Sequence, residues 1–377
     1  MNKFLPAVLT ILLSVHLLAL EPPNVIDRTS SNSGSVDKER EMATGVSVDV
    51  DPRIELMSVL QVLTGYMLVT RDDSDYKQEV LQSFSSYSEH RAVKMYAEMS
   101  ARGFAFDVVP KLFISLTKPP DLELRVSPSE QVITSAGGKE AVDEFIAALN
   151  EFVDKSKFVK FFKRNRSVYG RVVESNKANI LSSIKGLNEY VGVKQRNSHV
   201  VLGMLLHDGG FAASFYEKGE FHAYSFIGPA GTKDGLADFG EPQRISRLVS
   251  HEFSHTVVNR LTAENMSEIT RFSSLLDPIA EKMAKQAYPT WEIVVNEHIV
   301  RAVTLRLILK AEGEESFNAA LEKEEQRGFK YVRPITEKLE KYEVNREKYP
   351  VLGDFYPEFI NVLRKIKSVS EDIEETD

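Results

Sequence analysis

The chain has 377 residues, 42% of them hydrophobic and 27% charged, with a formal net charge of −8. This is enough apolar material for a sizeable core, and the acidic balance with interspersed signs excludes a broad nucleic-acid-binding face. Cysteine is absent, which removes disulfides, thiolate zinc sites and cysteine nucleophiles together and leaves histidine and carboxylate as the available metal ligands.

Residues 1–20, MNKFLPAVLTILLSVHLLAL, pair a charged start with a short apolar run. They read as a secretory signal peptide, so the mature protein is expected to be exported to the periplasm or the exterior. Residues 21–45 are rich in Ser, Pro, Gly and polar side chains and read as a disordered leader. No later segment is apolar enough to cross a membrane.

Order is expected from Val46, where Val46, Val48 and Val50 alternate like a strand. Pro52 then opens a helix, with Asp51 placed to cap it. Residues 52–190 read as successive amphipathic helices, which makes 46–197 a helical N-terminal lobe. The clearest of them places Val142, Phe145, Ile146, Leu149 and Phe152 on one core-facing side. Near residue 198 the texture changes to short β-type runs punctuated by DGG and EKGE, the pattern of antiparallel strands joined by tight turns. Helices return over roughly 243–262, 265–287 and 290–312, with two or three more behind them. The expected fold class is therefore α+β, mainly helical, with a small antiparallel sheet, and 198–370 forms the second lobe.

The stretch LVSHEFSHTVVNR (248–260) carries the most chemistry. On a helix, Ile245, Val249, Phe253, Val257 and Leu261 fall along one apolar side, while His251, His255 and Asn259 follow one another a turn apart on a different side. Two imidazoles so spaced reach one ion, and Glu252 lies beside them. This is HExxH, in which two histidines bind zinc and the glutamate acts as general base. Zinc takes nitrogen and oxygen ligands and keeps one position for a water whose pKa it lowers toward about 7, so a nearby carboxylate can take the proton. The bare pattern recurs by chance; uncharged flanking positions and an uninterrupted helix sharpen it.

A catalytic zinc needs a third protein ligand. Position 261 is Leu, so a third histidine six residues on is excluded. Downstream, Glu297, His298 and Arg301 interrupt the apolar helix TWEIVVNEHIVRAVTLRLIL. A charge there is costly to bury unless it is paired or metal-bound. Glu297 is the preferred ligand, His298 the reserve and Asp277 an outsider, with an internal Glu297–Arg301 ion pair as the bland alternative.

HEFSH together with the helix-borne glutamate of NEHIVRA resembles the gluzincin group of zinc metallopeptidases. That resemblance implies a zincin-like lobe, with His251, His255 and Glu297 as zinc ligands and Glu252 as base. More closely, VDPRIELMSVLQVLTGY, HEFSHTVVN, NEHIVRA and YEVNREKYPVLGDFYP are similar to a bacterial family of exported proteins of unknown function with a metallopeptidase-like pattern, over most of residues 46–368. There are departures. Many gluzincins carry aspartate where this chain has Arg301, and the Gly-x-Met-Glu-Asn signature of the aminopeptidases is absent.

HDGGFAASF (207–215) is a candidate substrate-pairing edge strand or a plain hairpin, with Gly209 and Gly210 permitting close backbone approach. His199, His207 and His222 read as structural or surface residues. Tyr224, Tyr288, Arg301 and Tyr331 are open choices for stabilising an oxyanion. The expected function is an exported zinc metallopeptidase acting on peptide or protein substrates, without a nucleic-acid partner. The alternatives are a non-catalytic exported binding protein with an incidental or structural metal site, and a zinc hydrolase acting on a non-peptide amide.

Overall fold

The computed structural model describes residues 45–69, 73–194 and 197–374. The expected signal peptide, and all of the expected leader except Gly45, lie outside them. Strand β1 (Val46–Asp49) leads into α1 (Pro52–Thr64). As the sequence predicts, Asp51 caps α1, accepting from Arg53 N at 2.8 Å, and Pro52 occupies the first turn where no amide donor is needed. The Asp51 carboxylate also grips the Arg53 guanidinium, whose Nη1 donates to the Ile114 and Leu116 carbonyls. A buried charge is tolerated here because every partner is present.

Helices α2 (Asp75–Phe84), α3 (Arg91–Ala101), α4 (Val108–Ile114), α5 (Glu130–Ala136), α6 (Lys139–Lys155), α7 (Phe158–Arg164) and α8 (Arg166–Val191) follow. All five predicted core positions of α6 are buried. Its Phe152 meets Phe84 at 6.1 Å between ring centroids, and Phe84 also contacts Phe158 at 6.2 Å and Phe161 at 4.9 Å. Truncating a phenylalanine in such a cluster costs about 3–5 kcal/mol.

β2 (Ser198–Leu202), β3 (Gly210–Glu217) and β4 (Glu220–Ile227) join β1 in one sheet of order β1-β2-β4-β3. The expected antiparallel pairing holds for β3 and β4, whose turn residues Lys218 and Gly219 both adopt positive φ as a type I′ hairpin requires. Elsewhere it is corrected: β1–β2 and β2–β4 are parallel. Turn chemistry signals hairpins only, whereas a parallel pair needs a crossover: the whole of α1–α8 for β1–β2, and residues 203–219, β3 included, for β2–β4. A second hairpin, β5 (Gly231–Lys233) with β6 (Leu236–Asp238), precedes the last helices.

Those helices are α9 (Pro242–Glu264), α10 (Met266–Ile269), α11 (Ala280–Ala284), α12 (Trp291–Glu312), α13 (Glu314–Gln326), α14 (Val332–Val344) and α15 (Leu352–Glu374). The single helix expected over 265–287 is broken by a 3-10 run, Thr270–Ile279, which contains Pro278. Proline lacks the amide donor and clashes with the preceding turn, so α-helix does not propagate through it. The fold is mainly helical α+β with a small sheet, as expected. Among the described residues, 45–257 with Pro350–Leu352 form one compact unit, and 258–349 with 353–374 form the other. No described helix is long and apolar enough to cross a membrane.

Within the first unit, Glu55 of α1 is 1% exposed. It accepts from Met204 N at 2.9 Å and from the Tyr76 hydroxyl at 2.7 Å, and Tyr76 in turn meets the Tyr169 hydroxyl at 2.8 Å. Burial lifts this carboxyl from its ordinary 4.5 to about 7, against the two hydrogen bonds that lower it. The folded chain therefore holds a proton that the unfolded chain releases at lower pH. Stability from this group is full below about 4.5, falls as pH rises toward about 7, and is level above. Glu55→Gln has no such titration. Urea unfolding of both proteins from pH 4.5 to 8 is expected to show the wild type losing stability relative to the variant across that window, then a constant difference.

Candidate metal centre

The α9 sequence folds as its spacing demands. Ile245, Val249, Phe253, Val257, Val258 and Leu261 are buried, which anchors the helix and fixes its rotation. That rotation sets His251 and His255 one above the other, with Nε2 atoms 3.3 Å apart and rings inclined at 80°. Two ligands about 2.0–2.1 Å from a tetrahedral ion lie about 3.3 Å from each other, so the two imidazoles already have the spacing of a shared ligand edge. His255 is 3% exposed, while His251 keeps partial exposure.

Glu297 on α12 completes the group. One ligand atom from each of His251, His255 and Glu297 lies within 4.8 Å of the others, the one such set of three among the described residues. These residues can hold a metal ion. Asp277, in the 3-10 run, is outside the set.

His298 is turned to another task. Its Nδ1 lies 2.7 Å from the Val294 carbonyl, one turn back on the same helix, and its ring packs against Phe329 and Tyr331. Burial pushes this imidazole down to about 4, so it is neutral at physiological pH. Its Nδ1–H then donates to Val294.

The bland alternative for Glu297 is present as well. Arg301 Nη2 lies 2.8 Å from Glu297 Oε2, with Glu297 1% and Arg301 5% exposed. Arg301 also binds Glu324 at 3.1 Å, donates to the Tyr288 hydroxyl at 3.3 Å and lies 4.0 Å over the Phe329 ring. Burial pulls the guanidinium pKa down, but Glu297 and then Glu324 outweigh it and hold Arg301 above its ordinary value. Ion pair and metal ligand are therefore compatible roles for one carboxylate.

Glu252, the expected base, is 8% exposed on the neighbouring face of α9. It borders β3: a Cβ built on Gly210 would stand 3.2 Å from Glu252 Oε1 and 3.1 Å from the Phe226 carbonyl. Glycine is what lets the first residue of this outer strand approach the carboxylate. Asn259 is buried one turn past His255. Of the oxyanion choices, Tyr331 spends its hydroxyl proton on the Leu275 carbonyl at 2.6 Å, Tyr288 accepts from Arg301, and Tyr224 lies on the sheet. The Arg301–Glu324–Tyr288–Phe329 assembly was visible in sequence only as the charge of Arg301 on an apolar helix. Its partners come from other elements.

A family model described as a domain of unknown function, DUF4932, matches residues 46–362. The chain belongs to that family. No curated protein and no solved structure matches it. The DUF4932 description assigns no chemistry, so the geometry carries the site.

For this DUF4932 protein, metal analysis of the purified chain is expected to find about one divalent ion bound, as three protein ligands imply. Glu297→Ala should weaken binding by more than about tenfold, while His298→Phe keeps it. Calorimetric titration of the metal-stripped proteins checks both. Equal losses in the two variants would remove Glu297 from the ligand set.

Proposed function

We propose that this protein is an exported zinc-dependent metallopeptidase, with a zincin-like site in which His251, His255 and Glu297 hold the ion and Glu252 is the general base. The observation that carries the reading is the convergence of those three ligand atoms around a helix that also presents Glu252. Neutral imidazoles and a carboxylate, without thiolates, are the donor set of a catalytic zinc site. Export rests on the charged start and apolar run of residues 1–20.

The bound ion would supply Lewis-acid polarisation of a carbonyl and acidify a water molecule. Glu252 takes the proton of the attacking water and later delivers it to the leaving amine, so one carboxylate serves both halves of the reaction. Its low exposure keeps bulk water from competing for that proton. β3 is the outermost strand on its side of the sheet and begins beside Glu252. An extended peptide laid along such an edge presents its backbone carbonyls at fixed intervals, which favours a peptide over a compact amide. Arg301 steadies the Glu297 carboxylate from the side of Oε2.

Glu252→Gln tests the reading because it removes the base and nearly preserves shape. With zinc-loaded protein and a mixed peptide library read by mass spectrometry, the variant is expected to lose at least about 100-fold in cleavage rate while keeping its metal and its melting temperature. Undiminished cleavage in the variant, or no cleavage of any peptide by metal-loaded wild type, would sink it; the latter result favours a structural ion in a binding protein.

A further inference from the structure

The sheet brings together a second cluster. Ser47 of β1 stands opposite His199 of β2 in the parallel register, with Ser47 Oγ 2.8 Å from His199 Nδ1. His199 Nε2 is 3.1 Å from His222 Nδ1 on β4. The two rings are parallel within 7°, and their centroids are 5.3 Å apart. The nitrogens are closer than the centroids by nearly two ring radii, which requires rings meeting edge to edge in one plane. This is a linear N–H···N hydrogen bond, and it joins serine, imidazole and imidazole in a row.

Such a row is more than packing requires. A nucleophile, a base within hydrogen-bond reach and a third group that orients the base make up the general signature of covalent catalysis. The row also opens on a space: Ser47 and His199 line a cavity of about 490 Å³ with Lys118, Arg125 and Tyr224, large enough for a small ligand. Tyr224 pairs with His199 in register and stacks on its ring at 4.4 Å. Its oxygen accepts from Arg125 Nη2 at 3.1 Å, which polarises the O–H and leaves its proton to donate.

We propose that Ser47, His199 and Tyr224 form a second catalytic site for small acyl esters, with His222 as the residue that positions His199. Ser47 Oγ attacks the ester carbonyl carbon, forming an O–C bond as its proton passes to His199 Nδ1. The Tyr224 hydroxyl donates to the developing oxyanion. The His199 Nε2–H stays on His222 Nδ1 and holds the ring in place. The bond from carbon to the alkoxy group then breaks, and the leaving oxygen takes the proton from Nδ1. Water repeats the sequence on the acyl-serine, releasing the carboxylic acid and restoring the Ser47 hydroxyl.

Burial first, then His222, Arg125 and Arg53, press His199 down to about 4. It is thus neutral and able to accept at physiological pH, but so weak a base makes the serine a slow nucleophile. The appropriate readout is stoichiometric labelling.

The full-length protein is treated with a fluorophosphonate probe, with and without chelator, and the adduct is mapped by peptide mass spectrometry. The serine oxygen displaces fluoride from phosphorus, so a stable adduct marks the nucleophile. We expect one adduct, on Ser47, independent of chelator, lost in Ser47→Ala and formed at least tenfold more slowly in His199→Phe. His222→Gln keeps an acceptor for the His199 Nε2–H and should label near the wild-type rate, whereas His222→Phe should be slowed tenfold. This comparison stands even where His199→Phe fails to fold. No adduct at Ser47, or equal rates in the two His222 variants, would overturn the proposal. Because the labelling does not involve the metal ligands or Glu252, either result leaves the peptidase reading untouched.

Discussion

A carboxylate removed from water must find positive charge, and Glu297 is buried among the apolar residues of α12. The Arg301 guanidinium one turn on meets that demand, and it is itself held by Glu324, the Tyr288 hydroxyl and the Phe329 ring face. Removing one member of such a buried pair costs about 3–5 kcal/mol, because the other charge is left uncompensated. The pair therefore holds Glu297 in one orientation through the Arg301 Nη2 contact. On the proposed reading it also sets a limit: Arg301 and a bound cation would draw on the same carboxylate, so Glu297 would donate less charge than an unpaired carboxylate. What the structure shows at this position is a cation, Arg301, steadying a buried carboxylate.

The same economy of space governs Glu252, the proposed base. Glu252 occupies the turn between the two histidines, so its direction is fixed by the helix rotation that fixes theirs. What it faces depends on β3, where the lack of a side chain at Gly210 allows strand and carboxylate to meet. Any larger residue would have to displace either Glu252 or the Phe226 carbonyl, the second of which belongs to the β4 ladder. Gly210 of HDGG is thus tied to the helix, whereas Gly209 lies against His207 of its own loop.

Much of this was legible in the chain because it is local. Four-residue spacing put His251 and His255 together, an apolar stripe oriented α9, Asp51–Pro52 started α1, and Lys218–Gly219 made a hairpin. Glu297 is legible by a less local argument, the cost of burying a charge, but that argument leaves His298 in reserve; only the structure separates the two, with His298 bonded to the Val294 carbonyl and outside the three-residue group. What escaped was pairing across long separations. β1 and β2 are joined through eight helices, so nothing near Ser47 signals His199. The histidines of β2 and β4 looked isolated for the same reason, since a parallel register leaves no turn to read. Within 265–287, Pro278 interrupts the helix that the apolar spacing alone would continue.

The sheet keeps the two proposed sites apart. Alternation along β4 sets His222, Tyr224 and Phe226 on one face and Ala223, Ser225 and Ile227 on the other. His199 pairs with Tyr224 and Ser47 with His199, so the serine–imidazole row belongs to the first face. Gly210 pairs with Ile227, and the position its side chain would take, on the second face, is where Glu252 stands. His222 and Ile227 are also five residues apart, about 17 Å along an extended strand. The two groups therefore sit on opposite faces of the sheet, with Tyr224 three residues from Ile227 and His222 five. A lesion confined to side chains on one face should therefore leave the other face in place, so the two proposed activities, if both are found, should be lost separately.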